Sequence, residues 1–474
     1  MPPTRRTLLV VFVATRLAHA AEPIVAGPDA RTALRLTVYS QDAYAVVRDV
    51  RSVTLPAGDG ELRFGGVPEQ VDARSVSLRA ADGKALRVRE QRFRHDPPTS
   101  ILARWLGKPV ELVETDEQLR TQTSNVELLA IGATNLYRAG DRILIGHPGR
   151  LQLPPLGEEL FVEPVLSWTL AAAATGQREL EARYAMTGIA WEADYELSLA
   201  EPRWPTDASL TGWISIRNDT RMSFARASLA LVAGRMHRAA RPEPAMERMF
   251  AKGLQAADVA VAEPAEEAVL DYHRYELPDP VALAPWEAKQ LHLLAAEGVR
   301  VERRYRVSGP GLWANAPAGE DEQSLPVHIR LSFRNEAKRG PGRPLPAGVV
   351  RVHAPTPSGA IELVGEDRIG HVPTGERVDL RVGEASDLVA KRRQTDYRQT
   401  GTKPYTAEVA AVTTVRNHSD AAATIDVREP VPGSWKVLES SHEAERVNAT
   451  TLGFTVTVPA GGTADVRYRV QLAP

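Results

Sequence analysis

The stretch "VHIRLSFRN", Val327–Asn335, decides the fold class. Apolar residues stand at every second position, and polar or charged residues fill the positions between them. A period of two puts the apolar residues on one face, which is typical of a half-buried antiparallel strand. The same alternation recurs along the chain, while one short segment, "PPTSILARWLGK" at 97–108, has helical spacing. The sequence therefore predicts an all-β protein with very little helix.

Three strands end in the pair Arg-Asn, and each is followed by a loop and another alternating strand. They are "ISIRNDT" with Asn218, "LSFRNEA" with Asn335 and "TTVRNHS" with Asn417. Asparagine suits such corners because its side chain bonds the local backbone and it tolerates left-handed φ. We interpret the three as the same strand end in related β-sandwich modules; the alternative is that they form a ligand site.

A second resemblance links "VTLPAGDGELRF" at 53–64 with "VTVPAGGTADVRY" at 456–468, and more loosely with "VALAPWEAKQLHL" at 281–293. Each has an apolar strand, a proline-containing turn and a second strand, so we interpret them as hairpins. Proline falls where the first strand leaves the ladder, a position that tolerates a missing N–H. Repeated units of this kind predict several immunoglobulin-like or related β-sandwich modules in series.

The length of 474 residues predicts about three domains. Short strands joined by polar or glycine turns between 108 and 160 predict a small inserted β-barrel. The predicted organisation is a signal peptide at 1–20, an N-terminal β module at 21–107, the barrel-like insertion at 108–160, a central β-sandwich at 161–320 with a flexible loop at 239–271, a β module at 321–400 and a C-terminal immunoglobulin-like module at 401–474.

The first twenty residues have the three-part order of a secretory signal. Arg5 and Arg6 are followed by the apolar run Leu8–Ala14, and Ala18–Ala20 fits a small-x-small cleavage site. Seven apolar residues are too few to span a bilayer, and no later stretch approaches about 18. The sequence predicts a bacterial protein exported to the periplasm or secreted, with a mature chain that begins near Ala21 and has no transmembrane segment.

Composition excludes several function classes. The chain has no cysteine, which rules out disulfides and thiolate chemistry, and its formal net charge of -2 shows no general attraction to nucleic acid. No phosphate-binding loop, nucleophile elbow or histidine pair with metal-ligand spacing is present. The sequence therefore predicts no cofactor, no metal site and no nucleic-acid partner, and it does not specify the oligomeric state.

The stretch "YAMTGIAWEADYEL", at 184–197, contains the binding residues that we consider. Gly188 is predicted at a turn between two strands, and Trp191 either packs across two sheets or offers a stacking platform to a sugar. In the second case Glu192 or Asp194 bonds the sugar hydroxyls, and Tyr195 lies beside them. The structural role is favoured, with Trp191, Glu192, Asp194 and Tyr195 kept as candidate binding residues and no catalytic residue assigned.

Two charged segments have alternative interpretations. "GEDRIGH", at 365–371, gathers Glu366, Asp367 and His371, which is compatible with cation binding or acid–base chemistry, but a polar turn is the favoured interpretation. The basic stretch "KRRQTDYRQ", at 391–399, is short and interrupted, so a solvated strand or a linker is favoured over a polyanion site.

Five motifs in this order resemble a known family: "LTVYSQDAYAVVRDVRSVTLPAG", "YAMTGIAWEADYELSL", "TGWISIRNDTRMSFARASLALVAG", "YHRYELPDPVALAPWEAKQLHLL" and "GEDRIGHVPTGERVDLRVGEASDLVAKRR". The chain resembles the bacterial domain-of-unknown-function family 4139, which includes mucoidy-inhibitor-A-like proteins. The resemblance implies an exported, β-rich envelope protein and supplies no reaction, ligand or catalytic residue.

Two hypotheses about function follow. The first is a non-catalytic, multi-domain β protein that binds an envelope partner, protein or glycan, through a sheet edge or the loop at 239–271, or that acts as an envelope scaffold. The alternative is a hydrolase of cell-wall or exopolysaccharide glycans with paired carboxylates, drawn from Glu192, Asp194, Glu366 and Asp367.

Overall fold

The structure is a computed structural model that describes residues 22–40, 42–83, 85–115, 120–146, 149–154, 160–201, 204–234, 273–314, 317, 321–402 and 405–473. The predicted signal peptide at 1–20 and the predicted loop at 239–271 lie outside the described residues.

The described part of the chain is nearly all β, as predicted. Its strands up to the middle of the chain are β1 Ile24–Ala26, β2 Arg31–Tyr39, β3 Tyr44–Leu55, β4 Gly58–Phe64, β5 Ser77–Ala80, β6 Arg87–Arg94, β7 Pro109–Thr115, β8 Thr121–Ala130, β9 Leu136–Ala139, β10 Arg142–Ile145, β11 Arg150–Gln152, β12 Val165–Ala172, β13 Gly176–Thr187, β14 Ile189–Leu199, β15 Thr206–Asn218 and β16 Phe224–Ala233. The later strands are β17 His273–Glu276, β18 Val281–Leu283, β19 Ala288–Ser308, β20 Gln323–Leu325, β21 Val327–Arg334, β22 Gly348–Pro355, β23 Ile361–Ile369, β24 Arg377–Glu384, β25 Leu388–Thr402, β26 Tyr405–Asn417, β27 Ala423–Pro430, β28 Ser434–Ser440, β29 Ala444–Asn448, β30 Thr451–Val458 and β31 Thr463–Ala473. Helix is limited, among the described residues, to α1 Pro98–Ala103 and two 3-10 turns, Pro28–Ala30 and Ala73–Ser75.

Two sheets form an N-terminal sandwich. A four-stranded sheet of order β1–β4–β12–β6 faces a seven-stranded sheet of order β17–β16–β2–β3–β13–β5, in which β18 also pairs with β16. Alternate side chains of both sheets meet in one core, for example Leu36 and Val47 from one sheet and Phe64 and Trp168 from the other. The rings of Phe64 and Trp168 pack edge to face, with centroids 5.1 Å apart. Burial of these large apolar surfaces stabilises the sandwich.

A ten-stranded sheet carries the chain through two further cores. Its main order is β23–β22–β14–β15–β19–β27–β30–β29, with β21 paired to both β19 and β24. The 21-residue strand β19 pairs with β15 along its first part and with β21 and β27 along its last part. One core lies under β14, β15, β21 and β22, and the next lies between β27–β30 and a five-stranded sheet of order β20–β25–β26–β31–β28. Sandwich units therefore follow one another along the chain, as the sequence predicts.

The segment predicted as a small barrel forms a sheet of its own. Five antiparallel strands are ordered β10–β9–β8–β7–β11 and enclose a separate core that includes Val110, Leu112, Val126, Leu128 and Tyr137. Closure of this sheet into a barrel stays a prediction.

The predicted module boundaries do not coincide with the sheets. Strands β12 and β13, which the sequence places in a central module beginning at 161, pair with β4 and β3 of the N-terminal sandwich. The chain thus returns to its first sandwich after the small sheet. Local alternation identifies each strand, but it carries no information about the distant strand with which it pairs.

The three proline-containing segments are arches between sheets, so the hairpin interpretation is wrong. In each case the strands before and after the turn belong to different sheets: β3 and β4, β18 and β19, β30 and β31. A hairpin pairs its two strands, whereas an arch passes the chain to the facing sheet. Both connections show the same alternation and the same turn residues, so the sequence does not distinguish them.

The three Arg-Asn corners are built alike, as predicted. Asn218, Asn335 and Asn417 are buried, with at most 1% of each exposed. Each Nδ2 donates a hydrogen bond to the carbonyl that precedes a proline in a nearby connection. The acceptors are, in order, Ala284 at 2.8 Å, Val372 at 3.2 Å and Val458 at 3.2 Å. A buried amide therefore ties each corner to a second turn of its module, which is a structural role.

We expect Asn417→Ala to lower the free energy of unfolding by about 3 kcal/mol, because the substitution removes three hydrogen bonds, to the carbonyls of Ala421, Val458 and Pro459, of which the bond to Val458 is buried. Asn417→Asp is expected to destabilise at least as much, since it puts an acceptor where a donor is needed. Urea unfolding measures both. The exposed Asn448→Ala is the control, with an expected loss within about 1 kcal/mol; an equal loss in Asn417→Ala and Asn448→Ala would contradict the role of Asn417.

The C-terminal core encloses an ion pair. Arg392, in the segment predicted to be a solvated strand or linker, is 2% exposed, and its Nε donates to Glu429 at 3.2 Å. The Tyr468 hydroxyl and the Gly311 amide donate to the same carboxylate at 2.5 and 2.9 Å. A Cβ at Gly309 would lie 2.2 Å from Glu429 Oε2, so only glycine leaves room for the carboxylate. The basic stretch is a strand, as one interpretation held, but Arg392 is not solvated.

Candidate functional site

Gly188 is the point at which the chain leaves one sheet for the next. Strand β13 ends at Thr187 in the seven-stranded sheet, and β14 begins at Ile189 in the ten-stranded sheet. Gly188 has φ of +93°, and a Cβ there would lie 2.8 Å from Cγ2 of Thr220. Both the backbone conformation and the close neighbour favour glycine. The predicted turn is confirmed.

Trp191 is a core side chain. It is 5% exposed, and its Nε1 donates a hydrogen bond of 3.1 Å to the carbonyl of Val38 on β2. Its ring meets that of Tyr275 edge to face, with centroids 6.3 Å apart. The indole therefore spans two sheets, as favoured from the sequence, and a sugar would find little of its ring surface open to stacking.

Tyr195 lies in the core under the ten-stranded sheet. Its side chain is fully buried, and its hydroxyl donates to the carbonyl of Pro346 at 2.8 Å. Burial raises the pKa of Tyr195, so the phenol stays protonated and keeps this bond. A Cβ at Gly212, its cross-strand partner, would approach the ring to 3.2 Å. The structure gives Tyr195 a packing role.

Polar side chains on the outer face of the ten-stranded sheet form a ladder across five neighbouring strands. Gln290 Nε2 donates to Ser215 Oγ at 3.3 Å, and Ser215 Oγ donates to Asp194 at 2.6 Å. Arg351 Nη1 donates to the other oxygen of Asp194 at 3.1 Å, and Arg351 Nε lies 3.7 Å from Oε2 of Glu366. The ladder thus joins β19, β15, β14, β22 and β23. Asp194 is fixed within it, with 13% of its side chain exposed.

The four carboxylates of the hydrolase hypothesis occupy different surroundings. Asp194 and Glu366 share one arginine, Arg351. Asp367 accepts hydrogen bonds from the backbone amides of Arg381, at 2.7 Å, and Arg368, at 2.9 Å. Glu192 is exposed and lines a groove described below. Glycoside hydrolysis needs an acid and a second carboxylate that flank the scissile bond. Two of the four candidate carboxylates, Asp194 and Glu366, are instead engaged by Arg351.

The segment "GEDRIGH" is part of a strand, which corrects the predicted polar turn. Strand β23 runs through Glu366, Asp367 and Arg368 to Ile369. Gly365 explains why: a Cβ there would lie 2.0 Å from the carbonyl oxygen of Val382 on β24, so the glycine permits close approach of a neighbouring strand. The glycine suggests the end of a strand in the sequence, whereas in the fold it makes room for the backbone of β24.

A groove of about 850 Å³ opens beside the first residues of β14. The N-terminal sandwich contributes Ser40 and Gly234, and the ten-stranded sheet contributes most of the other lining residues. Hydrogen-bonding side chains dominate the lining: Ser40, Glu192, Ser215, Arg217, Lys289, Gln290, Arg368 and His371. Trp191 and Ile216 also border the groove, but both are buried, with 5% and 1% exposed. Of the four candidate binding residues, Trp191 and Glu192 line the groove.

An exposed aromatic residue that the sequence analysis did not select lies close in sequence to a groove-lining residue. Trp286 is 65% exposed and has φ of +57°, in the arch between β18 and β19, two residues before the groove-lining Ala288. A bulky residue with positive φ is a backbone outlier. The signal was present in the sequence, because the other two arches have alanine after the proline, Ala57 and Ala460, where this arch has tryptophan.

Among the described residues, no group of three or more histidine, aspartate or glutamate side chains is placed to hold a metal ion. The same part of the chain contains no helix with the length and apolar character needed to cross a membrane.

A scan against protein-family models finds no match to the chain, and a search of curated proteins finds none. The resemblance to family 4139 therefore stays a prediction.

Proposed function

We propose that this is an exported, non-catalytic β protein that binds an envelope partner, and that the partner is a glycan held in the groove beside β14. The observation that carries the proposal is a concave surface rich in hydrogen-bonding groups, together with an exposed tryptophan in a strained arch two residues before the groove-lining Ala288. Exposed aromatic surface held at a backbone cost points to a functional contact.

The groove has the chemistry that a sugar needs. An aromatic face packs against the apolar face of a pyranose ring, while charged and amide side chains bond its hydroxyls. Glu192 supplies an acceptor, Arg217 and Lys289 supply donors, and Gln290 supplies both. The ladder through Ser215 holds Gln290 in place.

Export and a place in the envelope rest on the predicted signal peptide at 1–20 and on the resemblance to family 4139. The assignment as non-catalytic is supported by Arg351, which engages Asp194 and Glu366. A scaffold role belongs to the same proposal, since serial sandwich units offer a long surface for other envelope components.

We expect Trp286→Ala to weaken glycan binding by about tenfold or more, the usual effect of removing an aromatic anchor. Isothermal titration of the purified exported protein with defined peptidoglycan and exopolysaccharide fragments measures the affinity. The matched control is Trp313→Ala, which removes another exposed tryptophan, 55% exposed, that follows the end of β19 whereas Trp286 precedes its start. It is expected to leave the affinity within about twofold.

Equal affinities for Trp286→Ala, Trp313→Ala and the parent protein would contradict the proposal, as would absence of binding to every fragment. Release of new reducing ends from any fragment would replace it with the hydrolase alternative. An amino terminus at Ala21 in the purified protein is expected if the signal peptide is cleaved where we predict.

A further inference from the structure

Arginines from distant parts of the chain line up on the outer face of the seven-stranded sheet. Arg35 on β2 lies directly opposite Arg48 on β3, and Arg48 lies directly opposite Arg183 on β13. We name these three residues the arginine row. Like charges directly opposite one another destabilise a sheet. Three arginines on adjacent strands therefore suggest a role other than stabilising the fold.

One buried carboxylate holds the middle of the row together. Glu181, with 1% of its side chain exposed, accepts hydrogen bonds from the Nε atoms of Arg48 and Arg183, both at 2.5 Å, and of Arg79 at 2.8 Å. Burial alone raises the pKa of Glu181, but the bonds from Arg79, Arg48 and Arg183 outweigh burial and lower the pKa to about 2. Glu181 is therefore ionised under all ordinary conditions.

A single carboxylate does not neutralise three guanidinium groups. Arg79 and Arg274 add positive charge near the row, while Glu276 pairs with Arg35 and Arg274, and Glu179 lies two residues before Glu181. Positive charge is in excess. The arginines also remain open to solvent, with 41% of the Arg48, 46% of the Arg183 and 58% of the Arg79 side chain exposed.

The guanidinium groups keep donors to spare. Among the described residues, Arg48 and Arg183 reach Glu181 through Nε, which leaves their terminal amino groups for an outside acceptor. A guanidinium has five N–H donors in a planar fork that matches the two oxygens of a carboxylate. Fixing each Nε on Glu181 holds the fork in place before a ligand arrives, which reduces the entropy lost on binding.

The row is linear and is capped by hydroxyls. Ser228 on β16 lies opposite Arg35, and Ser77 on β5 lies opposite Arg183. Adjacent strands are about 4.8 Å apart, so the five positions span roughly 19 Å across the sheet. A polymer with an anionic group on each repeating unit can pair these groups with successive guanidinium groups of the row. Hydroxyls on the same units can hydrogen-bond to the two serines.

We propose that the outer face of the seven-stranded sheet is a second binding site, separate from the groove beside β14, and that it takes an acidic polysaccharide whose sugar units carry carboxylates. The arginine row binds the carboxylates in bidentate fashion, Arg79 extends the site, and Ser77 and Ser228 bond hydroxyls at its ends. This goes beyond the proposed function, because it assigns a different surface and a charged class of ligand.

The test uses polygalacturonate as the probe, with dextran as a neutral polymer and polyphosphate as an anionic polymer without carboxylates. Titration calorimetry with the purified exported protein is expected to show binding to polygalacturonate that weakens as salt is added, and no binding to dextran at this face. Arg48→Gln combined with Arg183→Gln is expected to weaken that binding by about tenfold or more.

The matched control is Arg89→Gln combined with Arg92→Gln. Both arginines lie on β6 of the four-stranded sheet, are 47% and 46% exposed, and each pairs with one carboxylate. This control removes the same charge and is expected to keep the affinity for polygalacturonate within about twofold.

The double variant Arg48→Lys with Arg183→Lys guards against misfolding, because it keeps the positive charge around Glu181. It removes the forked guanidinium donors, so it is expected to bind polygalacturonate more weakly than the parent protein.

Absence of binding to polygalacturonate by the parent protein would overturn the proposal. So would equal losses in the Arg48/Arg183 and Arg89/Arg92 double variants, or polyphosphate binding as tight as polygalacturonate binding, since either would show general attraction to anions. Trp286→Ala is expected to leave polygalacturonate binding at the row intact, so failure of the groove proposal and failure of this one are distinguishable.

Discussion

Replacing Trp191 with alanine is expected to lower the free energy of unfolding by about 3 to 5 kcal/mol, the range for a large aromatic residue removed from a core. The side chain joins the N-terminal sandwich to the first residues of β14, and its N–H satisfies the carbonyl of Val38. Chemical unfolding followed by circular dichroism measures the change. Trp191→Phe keeps most of the packing and loses the hydrogen bond, so it is expected to cost about 1 kcal/mol more than the packing difference alone.

Trp286→Ala is the control for this experiment. Its side chain is exposed, and we expect the stability to stay within about 0.5 kcal/mol of the parent protein. A Trp191→Ala variant as stable as Trp286→Ala would show that the indole is not part of the core, and would return Trp191 to the list of binding residues.

Arg392→Met is expected to destabilise the protein by about 3 to 5 kcal/mol, because it leaves Glu429 buried without its cation. The double variant, in which Glu429 is also replaced by methionine, is expected to recover most of that loss, since an apolar pair needs no desolvation of charge. Urea unfolding of the two single variants and the double variant gives the coupling energy.

The neighbouring Arg393→Met provides the control, because Arg393 is exposed on the same strand. Its expected effect is within about 0.5 kcal/mol. Additive losses in the single and double variants at Arg392 and Glu429 would contradict a direct interaction between the two groups.

Local patterns predict strands and corners in this protein with some success. The alternation in Val327–Asn335 predicts β21, and Val327, Leu331 and Phe333 are buried as expected. The repeated asparagines mark equivalent corners because each side chain bonds a carbonyl of its own following loop, a short-range contact that the local sequence indicates. The second bond of each amide, to a distant connection, is not visible in the local sequence. Gly188 is assigned correctly because turn chemistry is local. Trp191 is assigned to the core because a large aromatic residue within an alternating strand favours burial, although its partners Val38 and Tyr275 are distant in sequence.

The sequence does not show which strands pair, and most differences between the predictions and the structure have this cause. The proline-containing arches look like hairpins because a hairpin and an arch need the same strands and turn. Arg392 looks like a solvated residue because its carboxylate, Glu429, comes 37 residues later. Gly365 looks like a turn residue because the local sequence does not show that β24 packs closely against it.

The two proposed binding surfaces differ in the same way. Glu192 and Trp191 are close in sequence, and both line the groove, whereas Arg35, Arg48 and Arg183 come together only through the registers of three strands. Trp286 stands out from the sequence only when the third arch is compared with the other two, which have Ala57 and Ala460 at the equivalent position.

Strand β19 also determines how the parts of the molecule can move. At about 3.4 Å per residue its 21 residues reach roughly 70 Å, and one continuous backbone ladder serves two successive cores. Domains joined by a flexible linker change their relative orientation freely. Two cores that share a continuous strand do not, because the strand's backbone hydrogen bonds hold both. Inserting a single residue within it would reverse the facing of side chains on one side of the insertion, disturbing a whole core at once. The core under β14 and β15 and the C-terminal core are therefore held at a fixed spacing from one another.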